Sequence, residues 1–462
     1  MLKRLTRLLR LRPAPVRAEP VKAANTALGV YIEELHDAPW TIRPAETAVP
    51  VFIGVSETGS EPARVSSLRE YEAVFGGAPP VPVRFAVRND GTLGEAEWQS
   101  LPSYLLRHAV AHFFANGGGA CHVVPVGNYG AFPSREDFEA ALERADAIEG
   151  ATLFSMPDAL ALRPADYAAL ASGLLDRCAT RKNGFAVLDL PGLPDSETVA
   201  DFRQRIGGAL SWGAVYTPFV ETDFAPTAAP DLVSISWPDG SRAPTSLAAL
   251  TDEDAVLRET VAARLAALRI VLPPSGAVVG AICANDRARG VWKAPANLPL
   301  AAVTRPVVDI GNAEQDSLNV DPATGKSINA IRKFAGKGTL IWGARTLAGN
   351  DNEFRYVSVR RLLGMMEKSL RDGLAGVVFE PNDDRTWRRA EAATENFLTG
   401  LWRAGALAGA KPEHAFYVSV GLGCTMTAQD ILEGRLIMEI GVAPVRPAEF
   451  VILRLEFRLI PA

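Results

Sequence analysis

The stretch 321–327, DPATGKS, carries the glycine, lysine and serine with which a phosphate-binding loop wraps a nucleotide. That motif also needs a glycine five residues before Gly325, and Val320 stands there. The strand that should lead in is missing too, because 312–319 is polar. Backbone amides so placed would not cradle phosphates, and the segment reads as a surface turn with Gly325 at its bend. His108, His112, Cys121 and His122 are the densest set of metal-type side chains. The first two lie one helical turn apart and could share a ligand face. Their neighbours Ala109, Val110, Phe113 and Phe114 are apolar, and Cys121 and His122 alternate across a strand. Packed histidines are preferred over a metal site. Nucleophilic hydrolysis lacks a GxSxG, since Gly54-Val55-Ser56-Glu57 fails at the second glycine. His36 and His414 fall in surface-type segments. No catalytic, cofactor-binding or metal-binding residue is assigned, although catalytic triads are assembled in space and not in sequence.

The elements that would position any site are those of a sizeable globular chain. At 462 residues, 48% of them hydrophobic and spread along the length, it can bury a large core. A net charge of −5 argues against a dedicated nucleic-acid binder. Cys121, Cys178, Cys283 and Cys424 are scattered, as in a protein folded in a reducing cytoplasm. No apolar run approaches the roughly 20 residues that cross a bilayer, so no stable membrane insertion is expected. Lys3, Arg4, Arg7, Arg10, Arg12 and Arg17 all precede the first acid, Glu19, with Leu2, Leu5, Leu8 and Leu9 interleaved at helical spacing. This reads as a basic arm ended by Pro13 and Pro15; a membrane-surface helix and a targeting segment are the alternatives.

Strand and helix signals then alternate. Residues 48–55, AVPVFIGV, form a buried-strand run. Residues 65–75 read as a strand end and short helix, and the proline-rich 79–92 as a small excursion. Helices are expected over 101–116, 135–147, 164–180 and 252–268, and strands over 121–126, 151–156 and 184–190, with a turn at 238–240. Such alternation predicts α/β units around a largely parallel sheet. Further on, Val359, Leu362, Leu363, Met366 and Leu370 share a helical face, with Gly373 as its cap. Val377, Val378 and Phe379 read as a strand. Asp383 or Asp384 can cap a long helix bearing Trp387, Ala390, Thr394, Phe397, Leu398 and Leu401 on one face. At the end, Leu453, Leu455, Phe457 and Leu459 alternate with Arg454, Glu456 and Arg458, as in a half-buried strand. A strand this apolar at a chain terminus needs a sheet edge, its own or a neighbour's.

Several stretches closely resemble the phage tail sheath family. They are FLTGLWRAGALAGAKPEHAFYVSVG at 397–421 and ILEGRLIMEIGVAPVRPAEFVILRLEF at 431–457. Upstream, PPSGAVVGAICANDRARGVWKAPAN at 273–297, INAIRKFAGKGTLIWGARTL at 328–347 and GVYIEELHDAPWTIRPAETAVPVFIGVSETG at 29–59 are similar to the family's other segments. The basic arm before Thr26 is longer than the family's minimum, and the 321–327 loop carries extra polar residues. The resemblance implies an α/β (α+β mixed) fold: a sheath core domain built from both chain ends, a central α/β domain, and extended N- and C-terminal arms. The implied division is an arm at 1–27, core at 28–130, a central variable domain at 131–300, core again at 301–447, and a strand arm at 448–462.

The resemblance also implies a function. Subunits stack into a helical homo-oligomer around an inner tube, between baseplate and terminator proteins. The sleeve forms extended and contracts to drive the tube through a target envelope, with no nucleotide or other cofactor. Each subunit lends its arms to neighbours by strand addition. Leu28, Val30 and Ile32 at one end and Leu453, Leu455 and Phe457 at the other are then the inter-subunit strands. The inward face of the core grips the tube by charge, for which Arg385, Arg388 and Arg389 are candidates. Assembly in a bacterial cytoplasm into a phage tail or tail-like particle follows. An α/β enzyme (hydrolase or nucleotide-binding) and a sheath-terminating cap are the rival readings.

Overall fold

The computed structural model describes residues 40–319, 321–445 and 451–458. Its centre is the strand Pro50–Ser56, buried at every position. It pairs in parallel with Cys121–Asn128 on one side and Leu153–Ser155 on the other. Ala186–Asp189, Gly213–Thr217 and Asn329–Phe334 continue the sheet in parallel. Antiparallel strands finish it: Ala63–Val65 at one edge, Gly338–Ile341 and Leu298–Pro299 at the other. A parallel strand covered on both faces must be apolar throughout, which is how AVPVFIGV reads. Val51 and Ile53 pack with the helices Arg135–Asp146, Pro164–Arg181 and Ser196–Arg205. Phe52 packs on the other face with Leu106–Ala115 and Ser275–Arg289. The expected α/β fold is present, and the sheet draws strands from both sides of residues 130 and 300.

Two buried carboxylates hold these layers together. Neither Leu106–Ala115 nor Ser275–Arg289 has a capping side chain of its own. Asp158 instead accepts from the backbone amides of Leu105 and Leu106, and from Val55 at 2.8 Å. Asp189 accepts from the Ser275 amide at 2.8 Å. Both complete helix N-termini, where anions are favoured. Burial pushes the Asp158 carboxyl up to about 6, against the pull of its three amide donors. The helix expected from residue 101 therefore starts five residues later, at the cap supplied by Asp158. The same two helices touch backbone to backbone. A side chain at Gly280 would lie 2.4 Å from the Phe113 carbonyl oxygen, so only glycine fits.

The proline-rich 79–92 is more than an excursion. Within it Val83–Ala86 pairs in parallel with Val233–Ser236. Glu97–Trp98 and Thr245–Ser246 flank them in a four-stranded sheet. Val83, Phe85, Val233, Ile235 and Val261 make a separate small core. The period-two alternation of Val81, Val83, Phe85 and Val87 was present in the sequence, obscured by prolines at 79, 80 and 82.

In the C-terminal part, the helices Val357–Gly373 and Asp384–Arg403 pack on a three-stranded antiparallel sheet. The expected strand at Val377-Val378-Phe379 is instead a 3-10 helix, Ala375–Phe379. It continues the turn begun by Leu374, whose amide still bonds Leu370, and Val377 bonds Leu374 in turn. The cap placed at Gly373 falls one residue later, on Leu374. Gly373 is the last helical residue, and a side chain there would strike Ile42 at 2.7 Å.

Candidate assembly surface

The three-stranded sheet is the structural feature that bears on assembly. Arg435–Val442 is its middle strand, between Phe416–Val420 and Val451–Arg458. Leu436, Met438, Ile440 and Val442 are fully buried and share a core with Phe397, Leu398 and Leu401 of the long helix. Asp383 caps that helix, its side chain accepting from the Thr386 amide at 3.0 Å. Leu453, Leu455 and Phe457 stand opposite Ile440, Met438 and Leu436 in the ladder. The last strand thus occurs where expected, and it pairs with its own chain. Phe416–Val420 is an outer strand whose far edge meets no other strand among the described residues. On the opposite face, Tyr417 lies over Gly441, where a side chain would sit 2.0 Å from its ring, and donates to Glu439 at 2.9 Å. Leu28, Val30, Ile32 and the basic arm lie outside the described residues.

Residues 40–49 tie this part to the large sheet. The Arg389 guanidinium lies 4.4 Å from the Trp40 ring centroid. The Ala45 amide donates to Ser369 Oγ at 2.8 Å, and Thr47 Oγ1 to Asp286 at 2.7 Å. Arg361 donates to the Thr47 carbonyl at 2.8 Å and to Asp286 at 2.6 Å. Its side chain and that of Asp286 are 5% and 3% exposed. Such a pair contributes little net stability but makes the loss of either partner costly.

The three arginines proposed to grip a tube are placed differently from one another. Arg385 and Arg388 are exposed in the first turns of the Asp384–Arg403 helix, and Arg388 pairs with Asp384 at 2.8 Å. Arg389 is half-buried, held by Trp40 and by Glu380 at 3.6 Å. Sequence reasoning missed that contact because nothing near Trp40 signals a partner so distant along the chain.

The residues that suggested chemistry are occupied structurally. Lys326 Nζ donates to the backbone carbonyls of Arg203 and Ile206, at 2.5 and 2.6 Å. Gly325 takes a φ of 70°, as a tight bend requires. His108 and His112 are buried without a hydrogen-bond partner. Burial pushes His108 down to about 3. It pushes His112 down to about 4, although Asp223 and an Ala301 group short of hydrogen-bond geometry favour the charged form. Cys121 belongs to the buried core while His122 is only half-buried, so the two point apart. Among the described residues no three His, Cys, Asp or Glu side chains converge as a metal site would need. No described helix is long and apolar enough to cross a membrane.

The chain is similar in sequence and fold to known proteins. The family described as the phage tail sheath C-terminal domain matches residues 349–458. The tail sheath protein of Vibrio phage KVP40 is 27% identical over 137 residues, which is 29% of this chain and only 20% of the phage protein. The helical sheath of the anti-feeding prophage in its contracted state is 30% identical. It covers 93% of this chain and 99% of its own, with a TM-score of 0.63. The sheath complex of the PVC extracellular contractile injection system, also contracted, is 29% identical over 94% of this chain and 98% of its own, with a TM-score of 0.63. A sheath tail protein from Desulfitobacterium hafniense shares the fold at 12% identity, with a TM-score of 0.51 over 93% of this chain and all of its own. Fold and terminal sheet together define a structural subunit of the sheath class. The chain belongs to the contractile sheath family found in phage tails and extracellular contractile injection systems. Further matches are to structures of the anti-feeding prophage baseplate.

Proposed function

We propose that the subunit polymerises around an inner tube by exchanging terminal strands with its neighbours, and that the sleeve contracts to drive the tube through a target envelope. The observation that carries this reading is the Val451–Arg458 strand, paired edge-on with Arg435–Val442. The chain is anchored just before it, where the Val445 amide bonds the Ala406 carbonyl at 3.1 Å. A neighbour's strand in the same register would make the same main-chain hydrogen bonds, so exchange costs little in bonding. Residues 28–32 are the proposed strand of the N-terminal arm, and the open edge of Phe416–Val420 can take one more strand. Nothing in this reading calls for catalysis or a nucleotide. Tube, baseplate and terminator proteins are the partners, and assembly takes place in a bacterial cytoplasm before any release.

The test is electron microscopy of the purified chain and two variants. Deleting 448–462, or replacing Val30 and Ile32 with proline, removes ladder donors from one arm. Both variants should stay folded and form no sleeves. Normal sleeves from either variant would refute strand exchange, and discrete particles from the wild type would favour a cap.

A further inference from the structure

A groove of about 300 Å³ is lined by Pro80, Pro82, Pro102, Tyr104 and Tyr129. The Tyr104 and Tyr129 rings stack with centroids 4.7 Å apart, and Phe132 stacks on Tyr104 at 5.9 Å with an interplanar angle of 8°. Phe132, at the end of this row, is 39% exposed. The row is held rigidly. Tyr104 Oη accepts from the Gly130 amide at 3.0 Å, and Tyr129 Oη donates to the Gly77 carbonyl at 3.0 Å. No charged side chain lines the groove. Glu57 lies beside it, its carboxylate accepting from the Gly77 amide at 2.6 Å. Burial pushes the Tyr129 phenol up, with the Asp158 and Glu57 carboxylates adding to it and Arg107 opposing.

We propose that this groove binds the segment 12–17, RPAPVR, of a second copy of the chain. Ridges of parallel aromatic rings between prolines are the surface that accepts a polyproline II strand. Pro13 and Pro15 fix their φ angles near −65°, so little conformational entropy is lost on docking. Arg12 and Arg17 flank them with the charge that suits the Glu57 rim. The 23 residues from Arg17 to Trp40 can span at most about 75 Å. A folded unit of this size has a radius of gyration of about 22 Å. The arm is therefore long enough to pass its own subunit and reach another. The extra basic length, which strand addition leaves unexplained, thereby gains a role. The choice of a second copy rests on the sheath reading above.

The test uses the full chain carrying Pro13→Ala and Pro15→Ala, whose own arm no longer competes, and a fluorescent peptide of residues 10–20. Anisotropy should show saturable binding, weakened at least tenfold by Phe132→Ala, whose exposed ring can be removed without unfolding. The peptide with both prolines changed to alanine should bind at least tenfold more weakly. No saturable binding, or indifference to either change, overturns the proposal. The unmutated chain should take up peptide when dilute and exclude it as its concentration rises. Exclusion at every concentration would mean that the arm folds back on its own subunit, and would overturn the assignment to a second copy. Sleeve formation is read separately: normal sleeves with no peptide binding would sink this proposal alone.

Discussion

Arg361 and Asp286 meet at 2.6 Å with almost no solvent access, and they join the two halves of the molecule. Arg361 lies on the Val357–Gly373 helix, under the terminal sheet. Asp286 lies on Ser275–Arg289, against the large sheet. Thr47 bonds both, so the chain running in from the N-terminal arm is locked at the same point.

Replacing Arg361 with methionine leaves Asp286 buried and unpaired. The expected loss is about 3–5 kcal/mol of unfolding free energy. Adding Asp286→Leu should restore most of it, because the charge that needed compensation is gone. Urea denaturation of the two variants checks this; a single mutant within 1 kcal/mol of wild type, on the order of a surface pair, would show the junction to be unimportant.

His108 and His112 make the subunit sensitive to acid. Their folded values, about 3 and 4, lie below the ordinary 6.5 because burial disfavours the charged imidazolium. The unfolded chain therefore takes up protons first. The histidines' contribution to stability is intact above pH 6.5 and falls as pH drops from there toward 4, by about 1.4 kcal/mol per pH unit for each at the steepest part, while the raised carboxyls of Asp158 and Asp189 act in the opposite direction. Melting temperatures of His108→Leu with His112→Leu should fall less between pH 6.5 and 4.5 than those of the wild type. Parallel curves would contradict this account.

The tube-facing assignment is best tested on Arg385 and Arg388 alone. Arg389 is engaged with Trp40 and Glu380, so reversing it would disturb the fold. Cations at a helix N-terminus oppose the macrodipole by roughly 0.3–1 kcal/mol each. Changing Arg385 and Arg388 to glutamate should leave melting unchanged or slightly raised, while extended sheath on tubes is lost. Extended sheath forming on tubes as before would place the gripping surface elsewhere.

Much of this architecture was legible in the sequence, for local reasons. AVPVFIGV had to be a strand covered on both faces, and the alternating helix and strand signals had to give a parallel sheet. Asp383 announced a helix start, and Leu453, Leu455 and Phe457 announced a strand. What escaped depends on partners far along the chain. The start of Leu106–Ala115 is set by Asp158, whose approach requires Gly54: a side chain there would lie 2.2 Å from the carboxylate. Val83–Ala86 hid as a strand because its parallel partner comes some 150 residues later and prolines crowd the residues before it. Val377 to Phe379 had strand-type residues, but their backbone continues the turn begun at Leu374. The arginine cluster read as three equivalent charges until Trp40 took one of them.

Strand exchange itself can be read from a covalent trap. Ile437 and Glu456 stand opposite one another in the ladder, within the separation that a disulfide bridges. A chain with Ile437→Cys and Glu456→Cys, and with the exposed Cys424 changed to serine, would be oxidised either as monomer or as sleeve. The account predicts an intramolecular bond in the monomer and ladders of covalently linked chains from the sleeve on a non-reducing gel. Monomeric bands alone from oxidised sleeves would show that each subunit keeps its own terminal strand, and would contradict assembly by exchange.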